Sequence, residues 1–221
     1  MQLKNKTALV TGSTSGIGLG IARAFAREGA NVILNGFGDA AEIEALRAGI
    51  ERDFGVKARH DGADMSKPDA IEAMMQKAIA EFGSVDLLVN NAGIGLLGGA
   101  EESSTTQAQA LFDVNVFGVI RLTNAVLPTM RRQAKGRIVN LSSVLGLIPA
   151  PYSALYASTK HAIEGYSESL DHELRAFGIR VVLVETAYTR TSFEENLAKP
   201  DQLLDLYNSA RAGIMRSCGR R

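Results

Sequence analysis

Along the chain, apolar runs of four to six residues alternate with longer stretches in which apolar positions recur every three or four residues. The runs at 7–11, 31–35, 86–90, 137–141 and 180–185 are continuous rather than alternating, which predicts strands buried on both faces, as in a parallel sheet. Residues 56–60 form a weaker sixth candidate. Between these runs lie helix signals. One helix is expected over about 16–28, with Gly29 at its end, and another from Asp39, where Glu42 three residues on suggests a capping box. Ser66 and Pro68 open a third that reaches Phe82. Two longer ones cover about 105–132 and 153–177, the second closing at Gly178. Residues 192–216 are also expected to be helical, with Leu197, Leu203, Leu204, Leu206, Ile214 and Met215 available for packing. Strand and helix in alternation predict right-handed crossovers and an α/β, doubly wound parallel sheet, one domain over residues 1–221.

Composition narrows the function classes. The chain has 221 residues, with Lys plus Arg equal to Asp plus Glu at 24 each, so no electrostatic case exists for nucleic acid or an anionic membrane. No window approaches 18 consecutive apolar residues, and the first residues lack a signal peptide's apolar segment. Cys218 is the single cysteine, and His60, His161 and His172 are scattered without metal-ligand spacing. The expectation is a cytoplasmic protein without a metal, in which these histidines and Cys218 have packing or solvated roles.

Two motifs carry chemistry. Gly12, Gly16 and Gly18 follow the first strand and open the first helix, with Ser15 and Ile17 between them. Glycine lets backbone approach a pyrophosphate, and the helix N-terminus offers free N–H groups and a positive dipole end. Such a Rossmann-like arrangement predicts a dinucleotide. No Arg or Lys occurs at 13–15 or 35–39 to meet a ribose phosphate, which favours NAD and leaves NADP as the alternative. Asp39 has two readings, a helix cap or a ribose contact. The second motif is Tyr156 with Lys160, one helical turn apart on one face. A phenol titrates near pH 10, and a neighbouring cation should bring it into range for acid–base work. Ser143, just past the fifth strand run, stands where parallel sheets bind ligands, with Ser142 as its rival.

These residues resemble the short-chain dehydrogenase/reductase family. The Gly12-x3-Gly16-x-Gly18 spacing, Asn90-Asn91-Ala92-Gly93, Asn115, Ser143 and the Tyr156–Lys160 pair are similar to its motifs in their order. The resemblance implies Tyr156 as general acid or base, Lys160 tuning it and holding the nicotinamide ribose, Ser143 polarising the carbonyl, and Asn115 anchoring a water for proton return. It implies cofactor contacts at Phe37, Asp64 and Met65, at Asn91, Ala92 and Gly93, and at Thr189 and Thr191. The activity implied is hydride transfer between a secondary alcohol and a ketone.

The resemblance covers residues 4 to about 195. Thr186 and Ala187 stand where the family has Pro-Gly, and no seventh strand is visible, which predicts an exposed sheet edge. The first half resembles bacterial 3-hydroxybutyrate dehydrogenases and the second, from about Gly95, the hydroxysteroid and retinol dehydrogenase branch. A truncated or chimeric dinucleotide-binding or oligomerisation module with little activity is therefore the alternative function. Leu96, Leu97, Leu145, Leu147, Ile148, Pro149 and Tyr188 suggest an apolar substrate pocket, which Tyr152 would also line. In the relatives the two long helices pair into a dimer or tetramer, for which Phe112, Val116, Ile163 and Leu170 are the apolar candidates.

Overall fold

A computed structural model describes residues 1–187, 189, 193, 196–210 and 213. Six parallel strands form one sheet in the order β3-β2-β1-β4-β5-β6: β1 Thr7–Val10, β2 Asn31–Asn35, β3 Ala58–Asp61, β4 Leu87–Asn90, β5 Gly136–Leu141 and β6 Ile179–Val184. Helices α1 (Gly16–Arg27) and α2 (Ala40–Phe54) belong to one face. On the other lie α3 (Pro68–Phe82), α5 (Val119–Arg132) and α6 (Ala154–Leu174). The continuous apolar runs supply both cores at once. Leu9, Ile33 and Leu88 join the α3–α5–α6 side, while Ala8, Val10, Val32, Leu34 and Val89 join the α1–α2 side.

β6 departs from this pattern. Val181 is buried against α6, but Val182 and Val184 on the opposite face are exposed. The reason is position. Among the described residues β6 is the sheet's last strand, and its α1-side face is open to solvent, so its apolar run lies buried on one side only.

The long helical run over Thr105–Arg132 contains α4 (Thr105–Phe112) and α5, joined by a π-helical turn at Asp113–Gly118. By length and composition this run is apolar enough to cross a membrane, yet half of its apolar window is buried, and it holds the Asp113–Arg121 ion pair at 2.6 Å. Those are the properties of a core helix. Val116, Ile163 and Leu170, expected at a subunit interface, are instead buried inside this chain, Leu170 in the core beside β5 and β6; Phe112 is half-buried.

The expected helix over 192–216 is replaced, among the described residues, by an extended segment. Ala198 bridges Leu96, and a short 3-10 turn covers Asp205–Tyr207 before helical residues at 208–210. Pro200 interrupts helical hydrogen bonding, and side chains from the 99–107 region capture the backbone instead. The buried carboxylate of Glu102 accepts from the Gly99 and Leu204 amides at 2.8 and 2.9 Å, and Gln107 Nε2 donates to the Lys199 carbonyl at 2.8 Å. Leu203 and Leu206 point to solvent rather than packing. Ile214, Met215 and Cys218 lie outside the described residues.

At the far end of α6, Asp171 ties the helix to β6. It accepts from the Val181 amide at 2.9 Å, from Arg180 Nε at 2.8 Å and from Arg175 Nη2 at 2.7 Å. These partners, Arg180 foremost, hold its carboxyl well below the usual range. Replacing Asp171 with Ala strands the buried Val181 amide and is expected to cost about 2–3 kcal/mol, read from urea unfolding at pH 7. Because the folded-state carboxyl is the more acidic, this contribution is complete at neutral pH. It fades as pH falls below about 4, so wild type and variant should converge in acid.

Candidate active site

Strand order reverses between β1 and β4, and the loops leaving these two strands meet at that point. Thr11 joins them. Its Oγ1 accepts from the Asn91 and Ala92 amides at 3.0 and 2.9 Å. Asn91 Nδ2 donates back to the carbonyls of Thr11 and Gly12 at 2.8 and 2.9 Å. Gly12 and Gly16 take left-handed φ values of 61° and 55°. A Cβ on Gly18 would fall on the Gly12 carbonyl and 2.6 Å from Asn91 Nδ2. Ser15 sits at the N-cap of α1 without a side-chain capping bond, and no acid stands in the first turn. A helix start without an internal anion, behind a loop where Cβ atoms do not fit, suits a pyrophosphate. Ile17 is half-buried behind it.

The adenosine side is less complete. Phe37 is 69% exposed, and its carbonyl accepts from Thr14 Oγ1 at 3.0 Å. The same Oγ1 would lie 2.8 Å from a Cβ on Gly36, so glycine is required there, where the family would carry an acid. Asp39 caps α2, accepting from the amides of Ala41 and Glu42 at 2.9 and 3.0 Å, which favours the first of its two readings. Asp64 Oδ1 accepts from the Ser66 amide at 2.8 Å, and the Met65 side chain is buried in the core. Asn91, Ala92 and Gly93 are half-buried along the crevice, Gly93 close against Asn115.

The second cluster lies at the C-terminal ends of β4 and β5. Lys160 Nζ donates to the Leu141 carbonyl at 2.8 Å and stands 5.6 Å from the Tyr156 ring centroid. Ser143 heads the 3-10 turn Val144–Gly146, its Oγ accepting from the Leu145 amide at 3.2 Å. Its rival Ser142 is buried, with Oγ unpartnered and lying against Gly146. Asn115 sits in the π turn. Its Oδ1 accepts from the Ile94 amide at 2.9 Å, and its Nδ2 donates to the Ile94 carbonyl at 2.8 Å and to Thr159 Oγ1 at 3.3 Å. The wider π turn takes Asn115 out of helical register, and such turns recur at functional sites. The structure thus brings Asn115, Ser143, Tyr156 and Lys160 together.

Electrostatics there run against one expectation. Burial pushes the Tyr156 phenol up to about 12 and the Lys160 ammonium down to about 8, with Glu164 opposing the latter shift. The expected lowering of the phenol by the lysine is outweighed, because desolvation penalises both charged forms.

Thr186 replaces the family's proline without losing the loop. Its carbonyl accepts from the Val144 amide at 3.1 Å and its Oγ1 donates to the Ser142 carbonyl at 3.3 Å, continuing the pairing of β5 with β6. Thr189 is exposed and donates to the Ala187 carbonyl at 3.1 Å, while Thr191 and Tyr188 lie outside the described residues. Tyr152 takes φ 63°, accepts from the Gly98 amide at 2.9 Å and meets Tyr207 edge-on at 6.1 Å. His161 Nδ1 lies 3.0 Å from the Ala157 carbonyl on its own helix, and His172 is exposed.

Sequence reasoning passed over Thr11, Thr159 and Asn140. Asn140 accepts from Asn90 Nδ2 and donates to Ser167 Oγ, both at 2.8 Å, a buried polar chain across β4, β5 and α6. An asparagine within an apolar strand run was the available signal. Phe193, with its ring 6.0 Å from that of Tyr156, had none.

Both the sequence and the fold have recognisable relatives. Residues 6–202 match the short chain dehydrogenase family model. The chain is 43% identical over 179 residues to a D-beta-hydroxybutyrate dehydrogenase of Cupriavidus necator, covering 80% of this chain and 68% of that protein. A short chain dehydrogenase from Burkholderia cenocepacia, solved with NADP, superposes with a TM-score of 0.82 at 32% identity, covering 98% of this chain and 83% of that one. An NAD+-bound xylitol dehydrogenase superposes at 0.80 with 30% identity, covering 85% and 72%. The chain belongs to the short-chain dehydrogenase family. It is an oxidoreductase acting on CH–OH groups.

Gly18→Ala is expected to force the glycine loop off Asn91 and weaken NADH binding by about tenfold or more, a change of about 1.4 kcal/mol. Fluorescence titration of bound NADH measures it, with the far-ultraviolet spectrum as a control for folding.

Proposed function

We propose that this chain interconverts a secondary alcohol and a ketone with NAD(P), Tyr156 moving the proton. The observation that carries the reading is the half-buried Lys160 ammonium, tied to the Leu141 carbonyl beside the Tyr156 ring, with Ser143 two residues past that carbonyl at the head of the next turn. The glycine loop, the open start of α1 and the crevice wall at Asn91, Ala92 and Gly93 would hold the dinucleotide. That cofactor, when bound, supplies or accepts the hydride. Tyr156 then donates its phenolic proton to the carbonyl oxygen in reduction and withdraws it from the alcohol in oxidation. Ser143 Oγ orients that oxygen by a hydrogen bond. Lys160 favours the phenolate against the burial that opposes it. Asn115 commits its amide to Ile94 and Thr159, so in this reading it braces the β4 loop against α6 on the Lys160 side.

NAD is the favoured cofactor, since no cation stands at 13–15 or 35–39 and Thr14 closes against Gly36. The two solved relatives carry one cofactor each, NAD+ and NADP. The exposed Leu147 and Ile148, on the turn between Ser143 and Tyr156, favour a substrate with an apolar arm. A small 3-hydroxy acid is the other end of the proposed range, by similarity to the D-beta-hydroxybutyrate dehydrogenase. Self-association through the α4–α6 face belongs to the same reading, with the exposed Phe117 in place of the internally buried residues. A monomer by sedimentation velocity would reject it.

The test is NADH and NADPH consumption at 340 nm with acetoacetate and a panel of larger ketones. NADH should be preferred, and Tyr156→Phe should lose about 10²–10⁴-fold in turnover while still binding NADH. Full activity in Tyr156→Phe would sink the proton-transfer role. Binding without turnover in the wild type would leave a dinucleotide-binding module instead.

A further inference from the structure

Tyr156, Lys160 and Glu164 occupy successive turns of α6, four residues apart, on one side of the helix. Glu164 is 92% buried, its exposure being 8%. Its Oε1 has no hydrogen-bond partner, and neither does the hydroxyl of Ser142. Both oxygens lie against the same point above Gly146. A Cβ built on that glycine would be 2.7 Å from Ser142 Oγ and 2.9 Å from Glu164 Oε1. Gly146 closes the 3-10 turn whose first residue follows Ser143. A buried carboxylate oxygen without a donor is costly, and here it stands one helical turn from the half-buried Lys160 ammonium.

The surroundings of Lys160 make the carboxylate matter. On its own helix, the Tyr156 ring lies 5.6 Å from the ammonium. Glu164 stands one turn on, acting on it through charge rather than as a direct ion pair, while His161 turns to the Ala157 carbonyl. β5 and the turn after it offer neutral groups, the Leu141 carbonyl and the hydroxyls of Ser142 and Ser143. The π turn offers the neutral amide of Asn115, and Asp113 in that turn is paired with Arg121. Glu164 is therefore the negative group set to oppose the desolvation of Lys160.

Resting on the reading of Tyr156 and Lys160 given above, we propose that Glu164 is a positioning residue for this pair. Its buried carboxylate, seated between Ser142 and Gly146 one turn beyond Lys160, keeps the ammonium charged at working pH. Lys160 in turn holds Tyr156 ready for proton transfer. Without the carboxylate, the lysine sheds its proton at lower pH and the phenol loses its cation.

The experiment compares wild type, Glu164→Gln, Glu164→Asp and Tyr156→Phe in the acetoacetate and ketone assays between pH 6 and 10. The wild-type kcat/KM should fall on an alkaline limb as Lys160 deprotonates. In Glu164→Gln that limb should move to lower pH by about one unit, a tenfold change in the Lys160 proton equilibrium. Glu164→Asp, which restores the charge, should return it toward the wild type. A limb that stays in place in Glu164→Gln overturns the proposal, and so does one displaced equally in both variants, since then packing and not charge is responsible. The same titration, followed by NMR of the Lys160 Nζ–Cε group assigned with Lys160→Met, gives the answer without turnover. Full activity in Tyr156→Phe would instead refute the underlying proton-transfer reading, so the two failures are distinguishable.

Discussion

The contact between Lys160 Nζ and the Leu141 carbonyl joins the two halves of the molecule's chemistry. It runs from the body of a helix to the last residue of β5, and it is partly withdrawn from water. An ammonium there is expensive unless its donors are used and a counter-charge is near. Much of the neighbourhood reads as a response to that expense. The carbonyl ending β5 points to it, the Tyr156 ring lies alongside, and Glu164 follows one turn later. Moving α6 off the sheet would break this contact and carry Tyr156 away from the turn that follows β5.

A second constraint operates at the strand reversal. The loops after β1 and β4 are hydrogen-bonded to each other through Thr11 and Asn91 before any ligand is considered. The cradle is therefore stiff, and the Gly12 and Gly18 positions follow from protein packing as well as from the dinucleotide. The buried Asn90–Asn140–Ser167 chain performs the same service one strand further along, fixing α6 against β4 and β5. Polar residues in apolar strands mark where the register is pinned.

Much of this was legible in the sequence because it depends on local pattern. The six strands and the helix starts at Asp39 and Pro68 follow from apolar runs and caps, and Tyr156 and Lys160 from helical spacing. What was not legible depends on neighbours far along the chain. Val116, Ile163 and Leu170 read as interface residues because an apolar helix face does not say which surface will cover it; the sheet and the adjoining helices claimed it first. β6 looks like a central strand in composition, and only its place at the sheet edge leaves Val182 and Val184 bare. The rise of the phenol pKa was missed for a similar reason, since charge proximity is visible in spacing and burial is not.

The segment around 196–207 is held differently from the sheet. Its bonds include those to Glu101, Glu102, Ser104 and Gln107, roughly a hundred positions earlier, and backbone bonds of Ala198 with Gly95 and Leu97. Closing so long a loop gains little until the sheet has already brought the two stretches together. Side-chain clamps, not strand pairing, hold this stretch, so its attachment is set separately from the integrity of the sheet. Losing the Glu102 or Gln107 bonds would loosen the segment while every strand stays paired.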